Sequence, residues 1–116
     1  MLNQNVLDEC TSYLKTKYKN KIQTLKLEYC ADASGEYIYL VCIKIKKSSK
    51  ERGYGSLIMY AVIKLADKHN VRIKLYATNI FGADLTRLYK FYQRLGFVLI
   101  GSDKIGEMLY WPNKLK

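Results

Sequence analysis

Hydrophobic residues recur with helical spacing in some segments of this chain and with strand spacing in others. The helical spacing near the N-terminus predicts an amphipathic first helix, with Asn3 or Asn5 as its cap and an end near Asn20. Segments 22–30 and 36–45 have the alternation and the β-branched and aromatic residues of strands. Because a short polar turn separates them, the two segments are predicted to form a hairpin.

The second half of the chain predicts two more helices and three more strands. The helix after the hairpin has apolar residues on one face, namely Leu57, Ile58, Ala61, Val62, Leu65 and Ala66. It is followed by a strand at 72–78, a helix capped by Asp84, a strand at 97–100 and a strand at 107–111. This order predicts a single α+β domain over residues 1–116, built on a mixed sheet.

Chain length and composition restrict the class of protein. The 116 residues leave room for one small core, and a hydrophobic content of 49% is typical of a folded domain. No apolar run approaches the ~20 residues that cross a bilayer, and the N-terminus lacks the blocks of a signal peptide, so we expect a cytoplasmic protein without a membrane partner. Cys10, Cys30, Cys42 and His69 lack the spacing of a zinc site, so no metal is expected.

The chain is strongly basic, with 20 Lys and Arg residues against 10 Asp and Glu residues and a formal net charge of +10. The basic residues are spread over the first helix, the end of the second strand and the C-terminus rather than collected in one motif. Two interpretations stay open. The charge either keeps the protein soluble or attracts an acidic partner, such as an acidic protein surface or a nucleic-acid-bound complex.

The segment 50–57 contains two glycines, Gly53 and Gly55, between a predicted strand and a predicted helix. Such glycines let the backbone bend and direct several N–H groups to one point, where the helix dipole also favours an anion. The segment fails two known patterns, because Ile58 replaces the third glycine of a dinucleotide-binding loop and the lysine of a P-loop is missing. An anion-binding loop and an ordinary strand-to-helix turn remain the two interpretations.

A second motif lies downstream, where the chain reads Leu-Tyr-Lys-Phe-Tyr-Gln-Arg-Leu-Gly-Phe from Leu88 to Phe97. The spacing predicts a helix that ends at Gly96 and passes into a strand. In this order, the two motifs resemble the GCN5-related N-acetyltransferase (GNAT) family, in which Arg/Gln-x-x-Gly-x-Gly/Ala is followed by Phe-Tyr-x-x-x-Gly-Phe. The resemblance runs from about Ile38 to Trp111. It implies a mostly antiparallel mixed sheet with helices on both faces, two splayed central parallel strands, and acetyl-coenzyme A as cosubstrate.

The resemblance also assigns residues to the cofactor. Acetyl-coenzyme A is expected between the splayed strands, with its pantetheine arm against the backbone edge near Ile45 and its pyrophosphate against the glycine loop. Lys50 takes the Arg/Gln position of the family. Leu85 replaces a cofactor-contacting asparagine of many members, and Asn79 either substitutes for it or caps a loop. The expected cofactor-binding residues are Ile43, Lys44, Ile45, Lys50, Glu51, Arg52, Gly53, Tyr54, Gly55, Ser56 and Asn79.

Two residues are expected to take part in the chemistry. Tyr92 occupies the position of the family's general acid, where a phenol protonates the departing thiolate, although an aromatic core residue has the same spacing. The backbone N–H of Ile45 is expected to stabilise the oxyanion. The general base stays open, because the second strand carries Cys42 and Lys44 where many members have a glutamate. The remaining carboxylate candidates are Glu36, Glu51, Asp84 and Glu107. A positively charged pocket that lowers the pKa of the acceptor amine is the alternative.

The chain is short for the family before its cofactor-binding strand. The acceptor site is therefore expected to be shallow or completed by a second copy in a homodimer, which favours a protein lysine over an enclosed small molecule. The closing pattern at 106–111 is similar to that of small phage-type members, some of which acetylate a lysine of a host defence nuclease. The acceptor is thus expected to be an amine of a protein. The alternatives are a non-catalytic binding module for an acidic protein or nucleic acid, and a small-molecule amine acetyltransferase with a pocket built at a dimer interface.

Overall fold

The computed structural model describes residues 1–46, 53–77, 85–100 and 106–112, and within these ranges the chain forms three helices and five strands. The helices are α1 (Gln4–Lys17), α2 (Tyr54–His69) and α3 (Leu85–Arg94). The strands are β1 (Ile22–Asp32), β2 (Gly35–Ile45), β3 (Arg72–Tyr76), β4 (Val98–Leu99) and β5 (Glu107–Tyr110).

The five strands form one sheet in the order β1-β2-β3-β5-β4. β2 and β3 run parallel, whereas the other neighbouring strands run antiparallel. A parallel pair needs a crossover connection, and α2 lies in the segment that connects β2 to β3. The α+β class and the mixed, mostly antiparallel sheet expected from the sequence are confirmed.

The parallel pair is joined along only part of its length. The last paired residues of β2 and β3 are Leu40 and Leu75, yet β2 continues to Ile45 alongside β1. The C-terminal part of β2 therefore extends beyond its pairing with β3. This arrangement agrees with the expected splaying of the two central strands, and we refer to the point after Leu40 and Leu75 as the strand split.

A bulge in β2 coincides with the strand split. Leu27 of β1 pairs with Leu40, and the preceding Lys26 pairs with Cys42, so Val41 is an additional residue of β2. A bulge bends the strand that carries it and increases its twist. The bulge thus accounts physically for the separation of β2 from β3 at this point.

The core lies on one face of the sheet. Ile38 and Leu40 of β2 and Ile73 and Leu75 of β3 are buried at alternate positions, so their side chains point to the same face. Side chains from all three helices belong to the same cluster of buried residues, namely Leu7, Leu14, Ile58, Met59, Val62, Ala66 and Tyr92. The helices are therefore held to the sheet by burial of apolar surface rather than by their own propensity. All three described helices contribute to the core on this one face, whereas the resemblance implied helices on both faces.

The ends and faces of the first two helices differ in detail from the sequence prediction. The Asn3 side chain accepts a hydrogen bond from the Val6 N–H at 3.0 Å, so Asn3 and not Asn5 caps α1. In α2, Leu57 is 48% exposed, whereas Met59 is fully buried. The buried stripe includes Met59, Val62 and Ala66 at i, i+3 and i+7, so the prediction for Leu57 was wrong because the helix is rotated toward Met59.

Close backbone contact fixes the start of β5 against the end of β3. The Ala77 N–H donates a hydrogen bond of 2.7 Å to the Gly106 carbonyl oxygen. Gly106 has φ +86°, and a Cβ added there would overlap the Ala77 carbonyl oxygen. Only glycine meets both requirements without strain. The register that follows pairs Tyr76 with Glu107.

Cysteines and potential metal ligands do not form clusters in the residues that the structure describes. Cys10, Cys30 and Cys42 are half-buried and free. Within the same residues, no three His, Cys, Asp or Glu side chains are arranged as metal ligands. None of the helices in these ranges has the length and the apolar content needed to cross a bilayer.

Candidate functional site

The N-terminus of α2 begins at a glycine in the left-handed region. Gly53 is the N-cap residue with φ +79°, and no side chain caps the helix through it. The first turn of α2 carries no acidic residue, and the first amide paired back to Gly53 is that of Leu57, at 3.1 Å. The preceding amides, those of Tyr54, Gly55 and Ser56, are thus placed at the positive end of the helix dipole, where an anion is favoured.

Gly55 brings three elements together at this helix end. A Cβ added at Gly55 would lie 3.5 Å from the Phe91 ring of α3 and 4.0 Å from the Ile45 side chain of β2. The first turn of α2 therefore packs against both the end of β2 and α3. The predicted oxyanion donor, the predicted anion-binding turn and the helix that carries Tyr92 meet in one region.

The backbone edge expected to bind the pantetheine arm is the part of β2 beyond the strand split. Ile43, Lys44 and Ile45 are half-buried and pair with β1 on one side. The chain leaves β2 through Lys46, whose N–H donates a hydrogen bond of 2.7 Å to the Lys21 carbonyl oxygen. The end of β2 is thus held next to the turn that follows α1.

Tyr92 is enclosed by aromatic rings. It is 6% exposed, and its ring makes edge contacts with Phe91 at 5.1 Å and with Phe97 at 5.6 Å between centroids. Burial, with a smaller contribution from the nearby Cys42 thiol, raises the pKa of Tyr92 to about 12. The phenol therefore keeps its proton throughout the neutral range, as a proton donor must.

An open pocket of about 320 Å³ lies between the end of α1 and the start of α2. Its lining residues are Lys17, Tyr18, Lys19, Asn20, Lys21 and Tyr54. The rings of Tyr18 and Tyr54 meet edge to face at 5.9 Å, and the Lys21 ammonium lies 5.4 Å from the Tyr54 ring centre. We call this group the lysine pocket. In the sequence these lysines are part of a dispersed positive charge, because only the fold brings them to Tyr54.

The sheet face opposite to the core carries polar and aromatic side chains. Arg72 is 5% exposed, and its guanidinium donates to the Asp32 carboxylate at 2.8 Å and lies 5.2 Å from the Tyr37 ring centre. The hydrogen bond from Arg72 is the largest cause of the lowered pKa of Asp32. Further along the same face, the Tyr76 hydroxyl donates a 2.6 Å hydrogen bond to Glu107.

The structure brings most of the described candidates together. Seven of the expected cofactor-binding residues line the strand split and the start of α2, namely Ile43, Lys44, Ile45, Gly53, Tyr54, Gly55 and Ser56. Lys50, Glu51, Arg52, Asn79 and the candidate base Asp84 lie outside the described residues. Glu36 lies near the N-terminal end of β2, at the other end of the strand from Ile45. Glu107 instead lies beside Tyr76 at the strand split.

Comparison with known proteins identifies a family. The model of the acetyltransferase (GNAT) family matches residues 9–97, which is most of the chain. No match was found among curated proteins.

Several solved structures share the fold at low sequence identity. The crystal structure of a KacTA–DNA complex matches with a TM-score of 0.61 and 18% identity over 78% of this chain and 58% of that one. Arabidopsis thaliana Naa50, solved with the bisubstrate analogue CoA-Ac-MVNAL, matches with a TM-score of 0.57 and 19% identity over 73% of this chain and 62% of that one. The anti-CRISPR protein AcrVA5 matches with a TM-score of 0.58 and 21% identity over 78% of this chain and 95% of that one. This chain thus spans about three fifths of the KacTA and Naa50 chains.

Proposed function

The chain belongs to the acetyltransferase (GNAT) family, and from this premise we propose that it transfers the acetyl group of acetyl-coenzyme A to a primary amine, specifically a lysine of a cytoplasmic protein. The observation that carries the proposal is the strand split. β2 continues past its last pair with β3, and the uncapped N-terminus of α2 lies at its end. An extended backbone edge followed by a group of amides suits a cosubstrate with an amide-rich arm and a pyrophosphate.

Backbone amides dominate the proposed binding of the cosubstrate. The pyrophosphate accepts hydrogen bonds from Tyr54, Gly55 and Ser56, each of which contributes about 1.5–3 kcal/mol when the acceptor is charged. The helix dipole adds about 0.3–1 kcal/mol. The pantetheine amides pair with the β2 edge from Ile43 to Ile45. Lys50, Glu51, Arg52 and Asn79 remain proposed contacts.

We place the nucleotide end of coenzyme A in the lysine pocket. The pocket adjoins Tyr54 and therefore the proposed pyrophosphate position. Its lysines supply positive charge for the 3′-phosphate, and Tyr18 and Tyr54 offer aromatic surface to the adenine. Basic residues that are dispersed along the sequence would thereby lie next to a polyanionic ligand.

The proposed chemistry uses the residues on both sides of the thioester. The uncharged acceptor nitrogen forms a bond to the carbonyl carbon, and a β2 backbone N–H at the strand split donates to the oxygen as it becomes negative. Ile45, the donor expected from the sequence, lies five residues beyond Leu40 and beside Gly55, and thus at the pyrophosphate end of this edge. The carbon–sulfur bond then breaks, the sulfur leaves as a thiolate that accepts a hydrogen bond from the Tyr92 phenol, the nitrogen releases its extra proton to water, and the thiolate takes up a proton from water. Because the pKa of Tyr92 is about 12 and that of a thiol is about 8.5, Tyr92 acts mainly through a hydrogen bond to the developing thiolate.

A protein acceptor draws support from the neighbours of the same fold. The Naa50 structure contains an analogue that joins coenzyme A to the peptide MVNAL. AcrVA5 is comparable in length, since this chain covers 95% of it. Both likenesses concern the fold, so the lysine acceptor is our proposal.

A second candidate is a binding module for nucleic acid or an acidic protein. The lysine pocket and the net charge of +10 favour it, and KacTA was solved in complex with DNA. In this case the lysine pocket would bind phosphates of a polymer rather than those of coenzyme A.

A thiol-release assay tests the two candidates. The protein is incubated with acetyl-coenzyme A and, in separate reactions, with lysine peptides, spermidine and intact proteins, and acetylated residues are mapped by mass spectrometry. We expect thiol release that depends on the acceptor. Salt-sensitive binding of DNA without any thiol release would instead favour the binding module.

A further inference from the structure

We propose that Glu107, held by Tyr76, binds the protonated amine of the acceptor before transfer. The inference rests on the proposed function and names the acceptor class, a primary amine that is cationic at neutral pH. Glu107 is a specificity residue in this proposal, since it recognises the cationic acceptor and takes no part in breaking the thioester. The bound ammonium group releases one proton to water before its nitrogen attacks.

The position of Glu107 follows from the register of two strand pairs. Tyr76 is the next residue of β3 after Leu75, the last residue that pairs with β2. On its other side, Tyr76 pairs with Glu107 at the start of β5. The carboxylate is therefore next to the strand split, where the proposed acetyl group must lie for an amine to reach it.

Hydrogen bonding and backbone packing orient the carboxylate. The Tyr76 hydroxyl donates to Oε2 of Glu107 at 2.6 Å, a short bond of the charge-assisted kind. The contact between Ala77 and Gly106 fixes the backbone of both strands at one end of this pair. Among the residues that the structure describes, no Lys or Arg forms an ion pair with Glu107, and its other oxygen, Oε1, suits an incoming ammonium group.

Lys74, the nearest cation on β3, interacts with Asp32 and Tyr37 rather than with Glu107. Lys74 precedes Tyr76 by one full strand repeat and shares its face, but its ammonium lies 3.9 Å from Asp32 and 4.7 Å from the Tyr37 ring centre. Tyr39 of β2 lies on the side of Tyr76 away from Glu107, and the centres of the two tyrosine rings are 6.0 Å apart in an edge contact. A half-buried carboxylate beside the Tyr76 phenol is a suitable environment for an alkylammonium group.

The positive net charge of the protein makes a local carboxylate important for binding a cationic acceptor. A protein with a net charge of +10 repels a cationic acceptor at long range, so attraction must come from a local negative group. Glu107 provides that group at the strand split. The Asp32 carboxylate on the same face is already occupied by Arg72 and Lys74.

The test compares acceptors that differ in charge. In the Glu107→Gln variant, we expect kcat/KM for spermidine and for a lysine peptide to fall by about 10- to 100-fold, mainly through KM, because a charged hydrogen bond becomes a neutral one. For semicarbazide, whose amino group is uncharged at pH 7, kcat/KM should change by less than about threefold. The affinity for acetyl-coenzyme A should stay unchanged. Glu9→Gln, at an exposed position of α1, is the matched control.

The outcomes separate this inference from the proposed function. Equal losses for charged and uncharged acceptors, or no loss for either, overturn the role of Glu107. If none of the tested acceptors causes the wild-type protein to release thiol, the proposed function fails. In that case, spermidine binding to the coenzyme A-saturated protein decides the inference. Calorimetric binding that Glu107→Gln abolishes supports a cation site, whereas equal binding by both proteins overturns it.

Discussion

Two regions of this molecule have tyrosines next to groups of opposite charge. One is the N-terminus of α2 with the lysine pocket, which we call the α2 end, and the other is the sheet surface around Tyr76 and Glu107, which we call the β3–β5 face. At the α2 end, Tyr18 and Tyr54 lie among lysines and uncapped amides, which suit an anion. At the β3–β5 face, Tyr76 orients a carboxylate, which suits a cation. An overall charge of +10 therefore does not report the local charge of a site, because the fold places basic and acidic groups in different regions.

The two regions also differ in the groups that bind. The proposed anion site depends on main-chain N–H groups and therefore on glycines, whereas the proposed cation site depends on one side chain and on strand register. A substitution in one region should consequently leave ligand binding by the other region unchanged.

The largest effect is expected for Gly53→Asp. Gly53 has φ +79°, which Asn and Asp tolerate better than other side chains, and a Cβ there meets no atom within 4 Å. We expect acetyl-coenzyme A affinity to fall by more than about 100-fold, because the new carboxylate faces the pyrophosphate and disrupts hydrogen bonds of about 1.5–3 kcal/mol each. Gly53→Asn, of nearly equal shape, should cost less than about tenfold. Isothermal titration calorimetry measures both, and equal losses would contradict an anion at this turn.

Tyr92→Phe should decrease turnover by about 100-fold, at the lower end of the range for general acid catalysis, because the raised pKa makes the phenol a weak acid. Affinity for acetyl-coenzyme A should change little, since the ring remains. The pH profile provides a second measurement. With a pKa of about 12, Tyr92 stays protonated up to pH 10, so wild-type turnover should show no loss from its ionisation in that range. A fully active Phe variant would remove the proposed role.

Gly106→Ala should lower the free energy of unfolding by about 2–4 kcal/mol, through overlap with Ala77 and strain at φ +86°. Gly35→Ala is the control, because Gly35 has φ +116° but open space around its Cβ, and it should cost about 1–2 kcal/mol. Urea denaturation measures both. Equal losses would show that packing at the β3–β5 junction does not hold the register of Glu107.

The double substitution of Lys17 and Lys21 by Ala should weaken coenzyme A binding by about tenfold, since each exposed ionic contact contributes up to about 1 kcal/mol. The loss should shrink for 3′-dephospho-coenzyme A and at high salt. Replacing the exposed Lys64 and Lys68 of α2 by Ala serves as the control of equal charge. If the two double variants lose the same affinity, the lysine pocket has no specific role.

The smallest effect is expected for acid stability on the face that carries Glu107. Arg72 lowers the pKa of Asp32 below its ordinary value of 3.8, so the interaction stabilises the fold above that pH and is lost as the pH falls through the lowered pKa. Asp32→Asn should therefore reduce the acid dependence of unfolding below pH 4. Thermal denaturation between pH 2 and 5 measures this, and an unchanged slope would contradict the assignment.

Local sequence patterns predicted most of the secondary structure and the family of this protein. Periodicity identified the helices and strands, because side chains that repeat every second or every 3.6 residues reflect the direction of burial. The glycines at 53 and 55 and the Phe91-Tyr92 motif were sufficient to predict the family, whose model matches residues 9–97, since a bent backbone and a helix end restrict residue type at short range. The exact face of α2 was missed, because rotation of a helix by one residue depends on the sheet against which it packs.

Long-range contacts determine the positions of the strand split, the lysine pocket and the Tyr76–Glu107 pair, which no local sequence pattern predicts. The strand split depends on where the β2–β3 pairing ends, and the lysine pocket depends on Tyr18 meeting Tyr54. Tyr76 and Glu107 are distant in sequence and become neighbours through the register of β3 and β5. Register and helix docking are set by the summed packing of the whole core, so the charge and the partner of each site emerge only when the chain is folded.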